Sequence, residues 1–249
     1  MKTSNKLLVA AVLLLVTVAV VNALTLKSQL AKMLSSKTTR FTEFPAASFN
    51  TIELSGTAPV GLVSRIIVKQ ADRFAVQYSN YRDFIHVAQD GEVLKVTIDH
   101  EKGYDGPPHV VLEIVIECPD LIGLTAIGTP LDSIDLPPNA HVLTRRHYQK
   151  SLVAVVGFRG AGMDIFAAEG MEVTLDSLAV DSLTARAERY GTVEIHRNEL
   201  GYASLTVGDD ATMTLDHAQI GMVSTAVAKS GQFIVKGTQL HMENVFELP

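Results

Sequence analysis

Asp216 and His217 stand side by side in MTLDHAQI, and His196 lies in VEIHRNEL one sequence row earlier. A carboxylate beside an imidazole is the raw material of general acid–base catalysis. Histidines and acids together also form a common ligand set for transition metals. Either chemistry requires the groups to converge on one point. Whether they do is decided by the elements that carry them.

Those elements repeat. From Val153 the rows VAVVGFRGAGMDIFAAEGME, VTLDSLAVDSLTARAERYGT, VEIHRNELGYASLTVGDDAT and MTLDHAQIGMVSTAVAKSGQ follow one another every 20 positions without insertion, and a partial row starts at Phe233. Position one reads Val153, Val173, Val193, Met213, Phe233, and position three reads Val155, Leu175, Ile195, Leu215, Val235. Alternation returns at positions eleven to fifteen, as in Leu183, Ala185, Ala187. Each row therefore predicts two short strands with a side-chain period of two, separated by polar and glycine turns. So short a unit buries its apolar face only against its neighbours. The expected fold is all-β: a parallel β-solenoid (a β-helix) with coils of about 20 residues stacked roughly 4.8 Å apart.

Stacking recasts the opening residues. Position four reads Asp176, His196, Asp216, Lys236, and position seventeen reads Glu169, Arg189, Asp209, Lys229. Neighbouring coils set such side chains next to each other, where alternating charges attract. Two columns with one logic point to a structural ladder. Asp176, His196 and Asp216 remain the candidate ligand-site residues and no metal ligand is assigned, while His217 and His241 fall at other row positions and are not expected to join His196. No catalytic residue is assigned.

Residues 44–130 are strand-rich without a clean period. Strands are expected in FNTIELSG, VGLVSRIIVKQ, FAVQYS, VLKVTIDH and VVLEIVIECP, with a hairpin turn at QDGE, 89–92. This part is expected to pack as a small sheet or as irregular first coils capping residues 151–249, since an open solenoid end exposes unpaired backbone. Between them lies a loop, 131–150, with Pro137-Pro138 and a basic cluster of Arg145, Arg146, His147 and Lys150. Arg145, Arg146 and Lys150 are the candidates for contact with an anionic partner or lipid.

The first 43 positions have a different character. Residues 7–26 carry no charge, and at 1.5 Å per residue a helix of this length spans the roughly 30 Å of a bilayer core. A transmembrane helix at 7–26 is expected, behind a short cytoplasmic end at 1–6 and ahead of a basic linker at 27–43. The rival is a cleaved signal peptide, for which Val21-Asn22-Ala23 offers a small-residue site. The whole chain of 249 residues has a formal charge of −6, which argues against nucleic acid as a partner. Its one cysteine, Cys118, excludes an intrachain disulfide and a four-cysteine zinc site. It ends an apolar run and reads as a buried hydrophobe. Nucleophile elbows, phosphate-cradling loops and HExxH are absent. The glycines of GFRGAG lie in a repeat turn without a following helix. No cofactor is expected.

FNTIELSG followed by Val60, the DGEVLKVTI block at 90–98, VLEIVIECPDL at 111–121 and Gly128 together resemble the opening of the bacterial auto-transporter adhesin head domain, also called the GIN domain. The resemblance covers about residues 44–245 and rests on hydrophobic pattern. It implies a Gram-negative envelope protein, held in the inner membrane by one span with its β body in the periplasm, and it supplies no catalytic residues. Four basic residues after the span against two before it point the other way by simple counting. A secreted, periplasmic or surface location after signal cleavage is the alternative. The expected role is a non-catalytic, membrane-tethered interaction, adhesin-like or scaffolding module whose partner is an envelope protein or polysaccharide. The alternative is a carbohydrate-active β-helix enzyme, a lyase or hydrolase. Such enzymes wall their clefts with inserted loops and paired carboxylates, and the uninterrupted rows offer neither.

Overall fold

Alternation of apolar and polar residues makes strands wherever one face is to be buried. In the computed structural model, which describes residues 41–58, 62–79, 84–99, 110–130, 151–237 and 239–247, every regular element is a strand. The first eight are β1 (Phe41–Phe44), β2 (Thr51–Ser55), β3 (Leu62–Gln70), β4 (Ala75–Ser79), β5 (Ile85–Asp90), β6 (Val93–Ile98), β7 (Val110–Cys118) and β8 (Gly123–Ile127). The repeat supplies β9 (Ser151–Val156), β10 (Arg159–Ala168), β11 (Met171–Asp176), β12 (Ala179–Ala187), β13 (Thr192–His196), β14 (Glu199–Val207), β15 (Thr212–Asp216), β16 (Gln219–Val227), β17 (Gln232–Lys236) and β18 (Gln239–Glu247). The segments 1–40 and 131–150, with the expected span and basic cluster, lie outside the described residues.

The strands form two sheets of nine, in the orders β1-β4-β7-β3-β9-β11-β13-β15-β17 and β18-β16-β14-β12-β10-β8-β2-β6-β5. Both are mixed. Parallel pairing runs through the repeat, and antiparallel pairs close the far edges at β1–β4, β4–β7 and β5–β6. The two sheets are separate ladders with open edges. Each repeat row sends its first strand to one sheet and its second to the other.

The 20-residue period sets the register. Val173 pairs with Val153 and Val193, and Leu183 with Met163 and Ala203. Positions one and three therefore stack as continuous aliphatic columns, with Val173, Leu175, Val193, Ile195, Met213 and Leu215 all at 0% exposure. Inward residues of both sheets join one core. Burying each such side chain contributes about 1.5–3 kcal/mol. The second sheet receives smaller residues, Ala185, Ala187 and Ala203 among them, and these are buried just as completely. At its end the register slips by one at Val223↔Met242.

The N-terminal strands do more than cap. β3 sits between β7 and β9, and β2 between β6 and β8. The pair β2–β3 is thus interleaved into the stack, and the chain returns on both sides of it. The cap expected from the sequence falls instead to β1, β4 and β5. Strand β1 comes from residues read as linker and as the first position of the body, and β5 and β8 were not foreseen. At the interleaved junction Ser64 Oγ donates to Ser151 Oγ at 2.7 Å, fully buried. The expected turn at 89–92 forms: Asp90 pairs with Val93, and Gly91 takes a left-handed φ of 59°.

Candidate functional site

The outward face of the first sheet carries the position-four column. Asp176 pairs in register with His196, His196 with Asp216, and Asp216 with Lys236. The side chains make a chain of contacts. His196 Nδ1 lies 3.1 Å from Asp216 Oδ2, and its Nε2 lies 3.1 Å from Glu194 Oε2. Glu194 and His196 are two apart on one strand and so share a face. Asp216 Oδ1 takes a second imidazole, His217 Nδ1, at 2.7 Å. The expectation that His217 stays apart from His196 is therefore corrected, since both meet on Asp216.

The correction has a backbone cause. Position five is left-handed in row after row: Gly157 (φ 78°), Ser177 (58°), Arg197 (53°), His217 (53°) and Gly237 (57°). This residue turns the chain from one sheet to the other and throws its side chain back over the ladder. At Gly237 a Cβ would stand 2.8 Å from His217 Nε2, so glycine there leaves room for the imidazole. Arg197 uses the same turn to reach Asp176, where its Nε donates to Oδ1 at 3.0 Å and its Nη2 to Oδ2. Arg197 and Glu194 were missed from the sequence. Glu194 was legible from its spacing to His196, whereas Arg197 depended on the turn conformation.

The electrostatics are those of a cross-link. The hydrogen bond from His217, seconded by His196, holds the Asp216 carboxyl below the usual carboxylate range against a smaller opposing effect of burial. Both nitrogens of His196 and both oxygens of Asp216 are engaged. At 27–34% side-chain exposure for His196, Asp216 and Glu194, solvent screens such pairs and each contributes little. Among the described residues no group of three or more His, Cys, Asp and Glu side chains is arranged to hold a metal ion. In the second column Arg189 Nη1 meets Glu169 Oε1 at 3.2 Å, and Asp209 accepts from Ser230 Oγ at 3.0 Å. A third cross-link joins β7 to β3: Glu117 lies 2.8 Å from Lys69 Nζ and 2.6 Å from Arg73 Nε, and these cations lower its carboxyl. Cys118 is fully buried. Burial, with Asp120 adding to it, pushes its thiol up to about 12, which leaves no reactive thiolate near neutral pH.

The second sheet has a different outer face. Its strands pair in register at Val180↔Leu200 and again at Ser182↔Tyr202, stepping over Asp181 and Gly201. At the unpaired position two successive rows carry glycine, where the backbone of the preceding row approaches closely. A Cβ on Gly201 would lie 2.7 Å from the Asp181 carbonyl oxygen, and one on Gly221 would lie 2.7 Å from that of Gly201. An open groove of about 660 Å³ runs across β12, β14 and β16, with Asp181, Glu199 and Gln219 as its polar lining. Tyr202 and Met222 pair beside it and are 38% and 39% exposed. The sequence reading passed over this groove. Its signal is the glycine at position nine of two successive rows.

No family model matches the chain, and no curated protein matches it. Several solved structures are distantly similar. A proposed adhesin of Bacteroides fragilis NCTC 9343 is 16% identical, with 84% of this chain aligned to 96% of that one at a TM-score of 0.49. A proposed adhesin of Parabacteroides merdae ATCC 43184 is 14% identical, with 84% and 95% covered and a TM-score of 0.41. A proposed lipid-binding protein of Parabacteroides distasonis ATCC 8503 is 12% identical, with 82% and 96% covered and a TM-score of 0.36. These distant likenesses carry no activity with them.

Proposed function

We propose that this chain is a non-catalytic, membrane-tethered interaction module of the bacterial cell envelope, of the adhesin-head type its sequence resembles. Its body is read as a two-sided β-solenoid, with residues 7–26 as the anchor and the body in the periplasm. One observation carries the non-catalytic part: the acid–imidazole group at Asp176, His196 and Asp216 is consumed in contacts within and between rows, with Arg197, Glu194 and His217 as the further partners. A general base needs a free lone pair aimed at a substrate proton, and these groups are spent on one another. The uninterrupted 20-residue register of β9–β16 supports the same reading, because it leaves a broad outer surface rather than a walled cleft.

The test is protease accessibility of the body in spheroplasts of a Gram-negative host expressing the full chain, together with the mass of the membrane-bound form. Degradation of residues 41–249 with an uncleaved mass is the expected result. Protection of the body places it in the cytoplasm and overturns the envelope reading.

A further inference from the structure

We propose that the groove across β12, β14 and β16 is a binding site for an uncharged oligosaccharide. The proposal rests on the reading of the chain as an interaction module and names the ligand class which that module takes.

The polar lining is rich in acceptors. Among the described residues Asp181 and Glu199 make no side-chain hydrogen bond or ion pair, while the acids of the first sheet's ladder are matched to cations or imidazoles. Gln219 adds an amide, and no Lys or Arg lines the groove. A ligand must therefore bring hydrogen-bond donors and no negative charge, which excludes phosphates, sulfates and uronates. The floor is apolar, formed by Val180, Leu200 and Ile220, and Tyr202, 38% exposed, directly follows Gly201 of the lining. A ligand must also present C–H surface. A neutral pyranose has both properties, with hydroxyl donors around its edge and C–H faces that lie flat on a phenol ring. A lipid tail has the second without the first.

A basic peptide also meets unpaired carboxylates, but the surroundings disfavour it. The strip beside the groove is hydroxyl-bearing rather than acidic: Ser182 and Thr184 on β12 pair with Tyr202 and Ser204 on β14, and Ser204 with Ser224 on β16. Arg159 pairs in register with Ala179 at one end of the groove and repels a polycation there. The volume lies within the roughly 300–1,000 Å³ of ordinary ligand sites. The apolar floor recurs with each row at Val180, Leu200 and Ile220, about 4.8 Å apart, while each row offers a different polar group.

The full chain in detergent micelles is titrated calorimetrically with four probes: cellohexaose, N-acetylchitohexaose, hexagalacturonate and hexalysine. The expected result is binding of a neutral hexasaccharide without binding of the other two, weakened about tenfold or more by Tyr202→Ala, as for an exposed aromatic anchor. Glu199→Gln is expected to weaken it severalfold. Thr214→Ala on the opposite sheet leaves it unchanged, and strand content by circular dichroism confirms that each variant is folded. Binding of hexalysine alone assigns the groove to basic peptides and overturns the proposal. So does the absence of neutral-sugar binding, or binding that survives both groove substitutions. If the sugars fail while the body stays protease-accessible in spheroplasts, the ligand class falls and the interaction-module reading stands. A protected body overturns that reading independently.

Discussion

Asp216 gives each carboxylate oxygen to a different histidine, one from its own turn and one from the preceding row. Its folded-state carboxyl is held below the ordinary range, so the sign of its pH dependence is fixed. A depressed carboxyl contributes stability that is present above the unfolded value and lost as pH falls through the folded one. The stability gap between the natural chain and Asp216→Asn is therefore expected to be full at pH 5–6. It narrows as pH falls through and below the usual carboxylate range, and it closes in stronger acid. Chemical denaturation at a series of pH values measures it, and a gap that widens toward acid contradicts the assignment. The register of this residue was legible in the sequence, because a 20-residue period sets His196 beside Asp216 whatever the turn does. Its second partner was not, because the direction of His217 depends on a backbone angle that residue type alone does not specify.

At the scale of the element, the turns between the two sheets hold information that the strands do not. Non-glycine residues in the left-handed region cost roughly 1–2 kcal/mol, and Ser177, Arg197 and His217 each sit there. One side chain braces this corner from within. Asn198 is 1% exposed. Its Oδ1 accepts from Leu178 N at 2.7 Å, and its Nδ2 donates to Leu175 O at 3.1 Å. Both partners belong to the preceding row, so one buried amide ties two turns together. Asn198→Ala leaves these backbone groups without their side-chain partner and is expected to cost about 2–3 kcal/mol, read as a lowered urea midpoint at unchanged slope. A loss under 1 kcal/mol would show that water replaces the amide. The other residues at this row position are Phe158, Leu178, Ala218 and, in the partial row, Thr238. Hydrophobic pattern places position six inside, yet gives no hint that an asparagine there is a brace.

For the whole molecule, the interleaving of β2–β3 is the feature that period analysis could not supply. Periodicity reports neighbours one repeat apart, and it is silent where a strand pairs with another 87 positions away, as Ser64 does with Ser151. Three chain segments meet at Gly128. A Cβ there would stand 2.1 Å from the Glu169 carbonyl oxygen and 3.0 Å from Thr57 Cγ2. Gly128→Ala forces one of these backbones to move and is expected to cost about 3 kcal/mol, seen as a lower melting temperature and poorer soluble yield. A melting temperature unchanged from the natural chain would mean the junction is slack. The same topology gives the chain two folding clocks. Rows from β11 onward each close a loop of 20 residues onto a strand already in place. Docking β9 on β3 instead closes a loop of 87, which costs about 1 kcal/mol more in chain entropy, before any row of the first sheet has its template. Folding is therefore expected to be limited by long-range nucleation among the N-terminal strands and β9, with the remaining rows adding in sequence. A chain emerging from a ribosome has its template strands synthesised before the rows that need them.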